Sequence, residues 1–216
     1  MNKFYSHQAF KFLIVLSSAL GVILAIVHAD DSLYPLTYFT NQSNLLVFLI
    51  YLFYIFYYKK YQEKWITIIY QVVLAIVLTA IVYHLMLRPY IDPKTFGVNP
   101  FTDLLVHTVT PILVVVERII FGKKGILQRK QALLWLTFPF LYYLFVLLYG
   151  FLGGSFHAGT DYESKYPYFF LNIKEEGIGY FFFVISLILM IGYLMVFINR
   201  VLLNRKRNDH GIIKAK

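Results

Sequence analysis

The chain has no cysteine. That excludes disulfides, thiol catalysis, iron–sulfur clusters and cysteine zinc sites. Charge is scarce too: only 14% of residues are charged and 59% are hydrophobic, whereas a soluble domain carries about a quarter charged residues. A solvated globular domain is therefore excluded. Acidic residues number 11 against 20 basic ones, and internal repeats and low-complexity segments are missing.

What fills the chain instead is apolar sequence. Six stretches, approximately 9–29, 38–58, 65–87, 101–121, 132–152 and 178–199, reach the roughly 20 residues that cross a bilayer as a helix. They take up well over half of 216 residues and leave no room for a separate soluble domain. The expected fold is all-α: one polytopic membrane domain over 1–216, a six-helix bundle ending in a basic tail at 200–216.

The net charge of +9 resembles that of a nucleic-acid binder, but its placement argues against one. Lys3 and Lys11 precede the first helix, Lys59, Lys60 and Lys64 lie between the second and third, and Arg118, Lys123, Lys124, Arg129 and Lys130 surround the next turn on that side. Arg200, Arg205, Lys206, Arg207, Lys214 and Lys216 follow the last span. Only Arg88, Lys94, Lys165 and Lys174 lie on the other side, with Asp30, Asp31, Asp92, Asp161, Glu163, Glu175 and Glu176. The positive-inside rule then puts both termini in the cytoplasm and the protein in the cell membrane. The basic charge reads as a topology signal with some attraction for anionic headgroups; the expected partners are membrane lipids, not nucleic acid. Val27-His28-Ala29 before Asp30 has the small-residue pattern of a signal-peptidase site. The apolar run before it is long for a signal core, so the first span is read as retained.

The polar run Tyr38-Phe-Thr-Asn-Gln-Ser-Asn-Leu-Leu46 opens the second span. Unsatisfied polar groups in hydrocarbon cost several kcal/mol each, so such a run needs a use in packing or chemistry. At a rise of about 1.5 Å per residue, Thr40 lies a few Å inside and His107 about 9 Å inside. Thr40, Ser43 and Asn44 share a helix face, as do Asp103 and His107. His84 lies one turn before the third span ends, so Thr40, Ser43, His84, Asp103 and His107 are expected in one layer near the outer surface. A hydroxyl, an imidazole and a carboxylate are the parts of a nucleophilic hydrolase. Thr40, with Ser43 second, is the candidate nucleophile and His107 the base. Asp103 is a candidate to orient His107, and Asn41 or Asn44 to donate to an oxyanion; together with His84 these three are also candidate substrate-binding groups.

Each residue has a plainer use. A helical Ser or Thr commonly bonds its own backbone, a histidine near a helix end is often interfacial, and Asp103 suits a helix start. Pro111 is expected to kink its helix and Glu117 to pair with Arg118. The long 153–176 loop, with Tyr166-Pro-Tyr-Phe-Phe170, reads either as a lid or as an aromatic belt in the headgroup layer. The same polar layer also suits a receptor, a non-catalytic binder or a small transporter. His28, His84, His107 and His157 permit a metal-dependent hydrolase, with His84, His107 and a carboxylate as ligands, but they lack the close spacing of common zinc motifs. No cofactor is expected.

Four segments occur in order: Tyr38–Leu46, Val82-Tyr-His-Leu85, His107-Thr-Val-Thr-Pro111 with Glu117, and Tyr166–Phe170. In this order and spacing the chain resembles the bacterial six-helix branch of the androgen-induced-gene membrane protein superfamily. Animal members of that superfamily are threonine hydrolases that cleave esters of fatty acids with hydroxy fatty acids, using a helix-embedded threonine and a histidine. The resemblance implies a fatty-acyl ester substrate, His107 as the matching histidine and Thr40 as the matching threonine. Thr40-Asn-Gln-Ser43 is more polar than the animal pattern, which leaves Ser43 as the alternative.

Overall fold

The computed structural model describes residues 3–29, 33–61, 65–90, 99–157 and 163–214. Among them six helices are long and apolar enough to span a membrane. They are α1 (Lys3–Val27), α2 (Phe39–Tyr61), α3 (Ile66–Tyr90), α4 (Pro100–Phe121), α5 (Arg129–Phe151) and α6 (Ile178–Lys214). The expectations for Asp30, Asp31, Asp92, Asp161, the residues after the possible cleavage point and most of the turns at 59–64 and 88–100 lie outside the described residues.

The spans match the six apolar runs, with three differences. The first helix starts at Lys3, so Lys3 and Lys11 lie within it instead of before it. The basic segment from 200 continues the last helix as far as Lys214 and is not a separate tail. The fifth span is broken by a turn at Trp135–Leu136, between helical pieces Arg129–Leu134 and Thr137–Phe151; Pro139 follows at the third position of the second piece, where its missing N–H costs nothing.

Two apolar cores share α3, whose span is the most buried of the six. One unites Ile14, Val47, Tyr51, Val73, Ile76 and Val114 of α1 to α4. The other joins α3 to α5, α6 and the 153–176 loop through Leu74, Leu78, Trp135, Val146, Phe156, Phe170 and Ile188. Gly21 lets α1 approach α4 closely: a Cβ there would sit 2.7 Å from Val106. Small residues permit such backbone approach in membranes, where packing holds helices together.

α3 and α4 each contain one wider, π-type turn, at Tyr83–Leu87 and Leu105–Val109. Pro111 explains the second. It has no N–H for the carbonyl of His107 and its ring crowds that position, so the chain widens and Thr110 N–H bonds Leu105 instead. Such turns re-aim side chains and recur at functional sites. His84 and His107 both lie in them.

The described parts of the 153–176 loop pack into the bundle. Phe156 pairs antiparallel with Ser164, and the Tyr34 hydroxyl accepts from the N–H of His157 at 2.5 Å. Phe156, Phe170 and Leu171 are buried.

Candidate active site

At the end of the bundle away from the chain termini, α2, α3 and α4 bring four polar side chains together. His107 Nδ1 lies 2.8 Å from Asp103 Oδ1. A carboxylate only accepts, so this bond puts the proton on Nδ1 and leaves the Nε2 lone pair free. Nε2 lies 3.2 Å from Thr40 Oγ1, in position to accept the hydroxyl proton. The second carboxylate oxygen of Asp103 accepts from the Tyr83 hydroxyl at 2.8 Å. The Tyr83 ring stacks flat on the His107 imidazole, 3.6 Å between centroids and 8° between planes. Thr40, His107, Asp103 and Tyr83 therefore form one continuous chain.

Local sequence explains the placement. The Leu33–Tyr38 segment turns into α2 through a short 3-10 helix with Pro35 in its first turn, so Thr40 falls in the first turn of α2. Asn99 caps α4 by accepting from the N–H groups of Phe101 and Thr102. The expected cap, Asp103, is thereby left to bond His107 and Tyr83.

The other candidates have different partners. Ser43 is fully buried, donates to the Phe39 carbonyl and meets Thr79 Oγ1 at 3.0 Å; it faces α3 and not His107. Asn44 Nδ2 bonds the carbonyls of Thr40 at 2.9 Å and Val106 at 3.1 Å, which ties α2 to α4 and uses both amide hydrogens. Asn41 Nδ2 bonds the Pro35 carbonyl at 2.8 Å. His84 meets Thr108 Oγ1 at 3.0 Å and lies beside the site without joining the chain. His28 is exposed and bonds the Leu24 carbonyl, while His157 packs in the 153–176 loop against Tyr38. Among the described residues no three His, Cys, Asp or Glu side chains converge as a metal ion would require.

Two groups were not singled out from sequence. Tyr83 precedes the conspicuous His84, and only the wider turn of α3 brings it onto His107. Tyr168, from the 153–176 loop, lines the same cavity as Thr40 and Phe39 at the start of α2 and lies against Tyr142, with ring centroids 6.5 Å apart. Burial pushes the Tyr168 phenol up to about 12, against the opposing pull of Thr40, Tyr142 and Phe39, so it remains a protonated donor at neutral pH.

Beside Thr40 opens a cavity of about 370 Å³ between α3, α5 and α6. Thr40, Tyr83 and Tyr168 line it along with Phe39, Leu78, Leu136, Phe140 and Ile188. Ligand cavities run from about 300 to 1,000 Å³, mostly apolar with a few placed polar groups.

A second polar cluster lies at the opposite end. Glu117 is fully buried. It pairs with Arg118 and accepts from His7 at 2.6 Å and from Tyr51 at 2.9 Å. Ile14, Val47, Ile76 and Val114, all fully buried, pack between α1, α2, α3 and α4 as one apolar core. Comparison of the chain with protein-family models, with curated proteins and with solved structures gives no match.

Proposed function

We propose that the protein is an intramembrane hydrolase of fatty-acyl esters with Thr40 as nucleophile. The observation that carries this reading is the Thr40–His107–Asp103 chain at the edge of an apolar cavity. A neutral hydroxyl is a poor nucleophile unless a base takes its proton, and the base works best when a third group holds its tautomer.

The steps balance as acyl transfer to water. Thr40 Oγ attacks the ester carbonyl while its proton passes to His107 Nε2. The carbonyl oxygen becomes an oxyanion. Asn44 uses both amide hydrogens on backbone carbonyls and Asn41 is tied to Pro35, so the Tyr168 hydroxyl, which lines the same cavity as Thr40, is the candidate side-chain donor to that oxygen. The imidazolium, stabilised by Asp103, returns the proton to the departing alkoxide. Water then enters, gives a proton to His107 and attacks the acyl-threonine. The fatty acid leaves and Thr40 Oγ recovers its proton.

The charge pattern supports an orientation with both termini in the cytoplasm and the site in the outer half of the cell membrane. The resemblance to the androgen-induced-gene superfamily supports the same pair, Thr40 and His107. A transport role lacks a comparable basis, because the polar layer at Thr40 and the cluster at Glu117 are separated by apolar packing. The test is turnover of a 4-nitrophenyl fatty-acyl ester by purified protein in detergent. Loss of turnover in Thr40→Ala and in His107→Ala, both folded, is expected. Full turnover in a Thr40→Ala/Ser43→Ala variant rules the mechanism out.

A further inference from the structure

We infer that the cavity beside Thr40 is a slot for a single straight acyl chain, with Leu133 and Leu136 at its floor setting the chain length. The inference rests on the hydrolase reading for the position of the ester at Thr40; the slot itself rests on the cavity.

Polar and apolar parts of the lining are arranged along α5. Tyr142 packs against Phe39, next to Thr40, with ring centroids 5.1 Å apart. Leu133 lies nine residues earlier on the same span, about 14 Å away by helical rise. One leaflet of a bilayer is about 15 Å of hydrocarbon deep, so the slot is as deep as one chain. Its volume gives a matching figure. An apolar cavity of about 150 Å³ holds a six-carbon benzene ring, and on that scale about 370 Å³ holds about 15 carbons. Two chains do not fit.

The chemistry of the walls agrees. The two further threonine hydroxyls of the lining are already satisfied: Thr79 donates to the Ala75 carbonyl and meets Ser43, and Thr137 donates to the Leu134 carbonyl at 2.6 Å. A methylene chain there leaves neither threonine stranded. The floor also meets the lipid-facing surface. Leu133 is 54% exposed and Phe140 57% exposed, yet both line the cavity. A chain therefore has a lateral route from the bilayer past α5, without crossing water.

Two measurements separate this inference from the catalytic reading. The first is photocrosslinking of a 16-carbon fatty acid with a terminal diazirine to the Thr40→Ala variant, which needs no turnover. Adducts are expected on α5 between Leu133 and Phe140 or on α6 near Ile188; adducts spread over the lipid-facing surface of all six helices overturn the slot. The second is kcat/KM for 4-nitrophenyl esters from acetate to stearate, with Leu133→Trp, a lipid-exposed position that tolerates a large side chain. Leu133→Trp is expected to lower the ratio of kcat/KM for the 16-carbon ester to that for the acetate ester on the order of 10-fold, as loss of one or two methylene sites does. Thr40-dependent turnover with the same chain-length profile in wild type and Leu133→Trp overturns the length limit but keeps the hydrolase. Located crosslinks without any turnover keep the slot but overturn the hydrolase.

Discussion

Replacing Asp103 with asparagine tests the chain through His107 with little change of shape. Asp103 accepts from both His107 Nδ1 and Tyr83, each at 2.8 Å. An amide offers one accepting oxygen and one donating nitrogen. If its oxygen faces His107, the tautomer survives, because the Tyr83 hydroxyl can turn and accept from the amide nitrogen. What disappears is the negative charge beside the imidazolium of the transition state. Two unit charges about 4 Å apart at an effective dielectric of about 20 interact by about 4 kcal/mol, so the rate falls about 10³-fold. If the amide nitrogen faces His107, the proton is forced onto Nε2, Thr40 loses its acceptor, and the loss approaches about 10⁴-fold. Tyr83→Phe is the control. It keeps the ring stacked on His107 and removes one hydrogen bond, worth about 1 kcal/mol and a rate change of about fivefold. The assay is ester turnover, with circular dichroism to confirm the helical fold. An Asp103→Asn variant with wild-type turnover and an unchanged spectrum would refute the role of this carboxylate.

Three further outcomes are expected. Ser43→Ala keeps ester turnover within a few-fold and lowers the melting temperature modestly, since the loss is one or two hydrogen bonds of about 1 kcal/mol each; a turnover loss equal to that of Thr40→Ala makes Ser43 the nucleophile. Glu117→Ala leaves Arg118 and His7 without their shared carboxylate in a buried site, which costs about 3–5 kcal/mol and is read as a marked fall in thermal stability in detergent; an unchanged melting curve contradicts a structural role for the cluster. The Tyr168 phenol is pushed up to about 12 in the folded protein against about 10 in the unfolded chain. The unfolded state therefore loses its proton first, and the stability Tyr168 lends is complete below pH of about 10 and declines as pH rises through that interval. A thermal-stability series should fall less steeply there in Tyr168→Phe, and identical slopes would show that this hydroxyl is not buried.

The spans were legible because hydrocarbon demands about 20 consecutive apolar residues, and depth counting along two helices put Thr40 and His107 at one level. Contact was not legible. Whether Thr40 or Ser43 faces His107 depends on the rotation of α2, which is set by Ser43 bonding back to Phe39 and across to Thr79. The stacking of Tyr83 on His107 depends on wider turns in α3 and α4; Pro111 is a visible cue for the second, and Pro89, at the same offset after Tyr83–Leu87, is the matching cue for the first. Lys11 reads from sequence as a cytoplasmic flank of the first span, and His7 carries no expectation. They are buried among Glu117, Arg118 and the tyrosines of α2, because partners from distant helices compensate charge that a single helix cannot. The loop over Thr40 was legible as aromatic, but its packing rests on buried contacts of Phe156 and Phe170 with other elements.

The experiment to perform first is labelling of purified protein in detergent with a serine/threonine-reactive fluorophosphonate, followed by peptide mapping. An activated hydroxyl beside His107 predicts a covalent adduct on Thr40 that disappears in His107→Ala. Absence of any adduct in folded protein, with an active control enzyme labelled in parallel, would contradict it and leave the cavity as that of a lipid-binding protein.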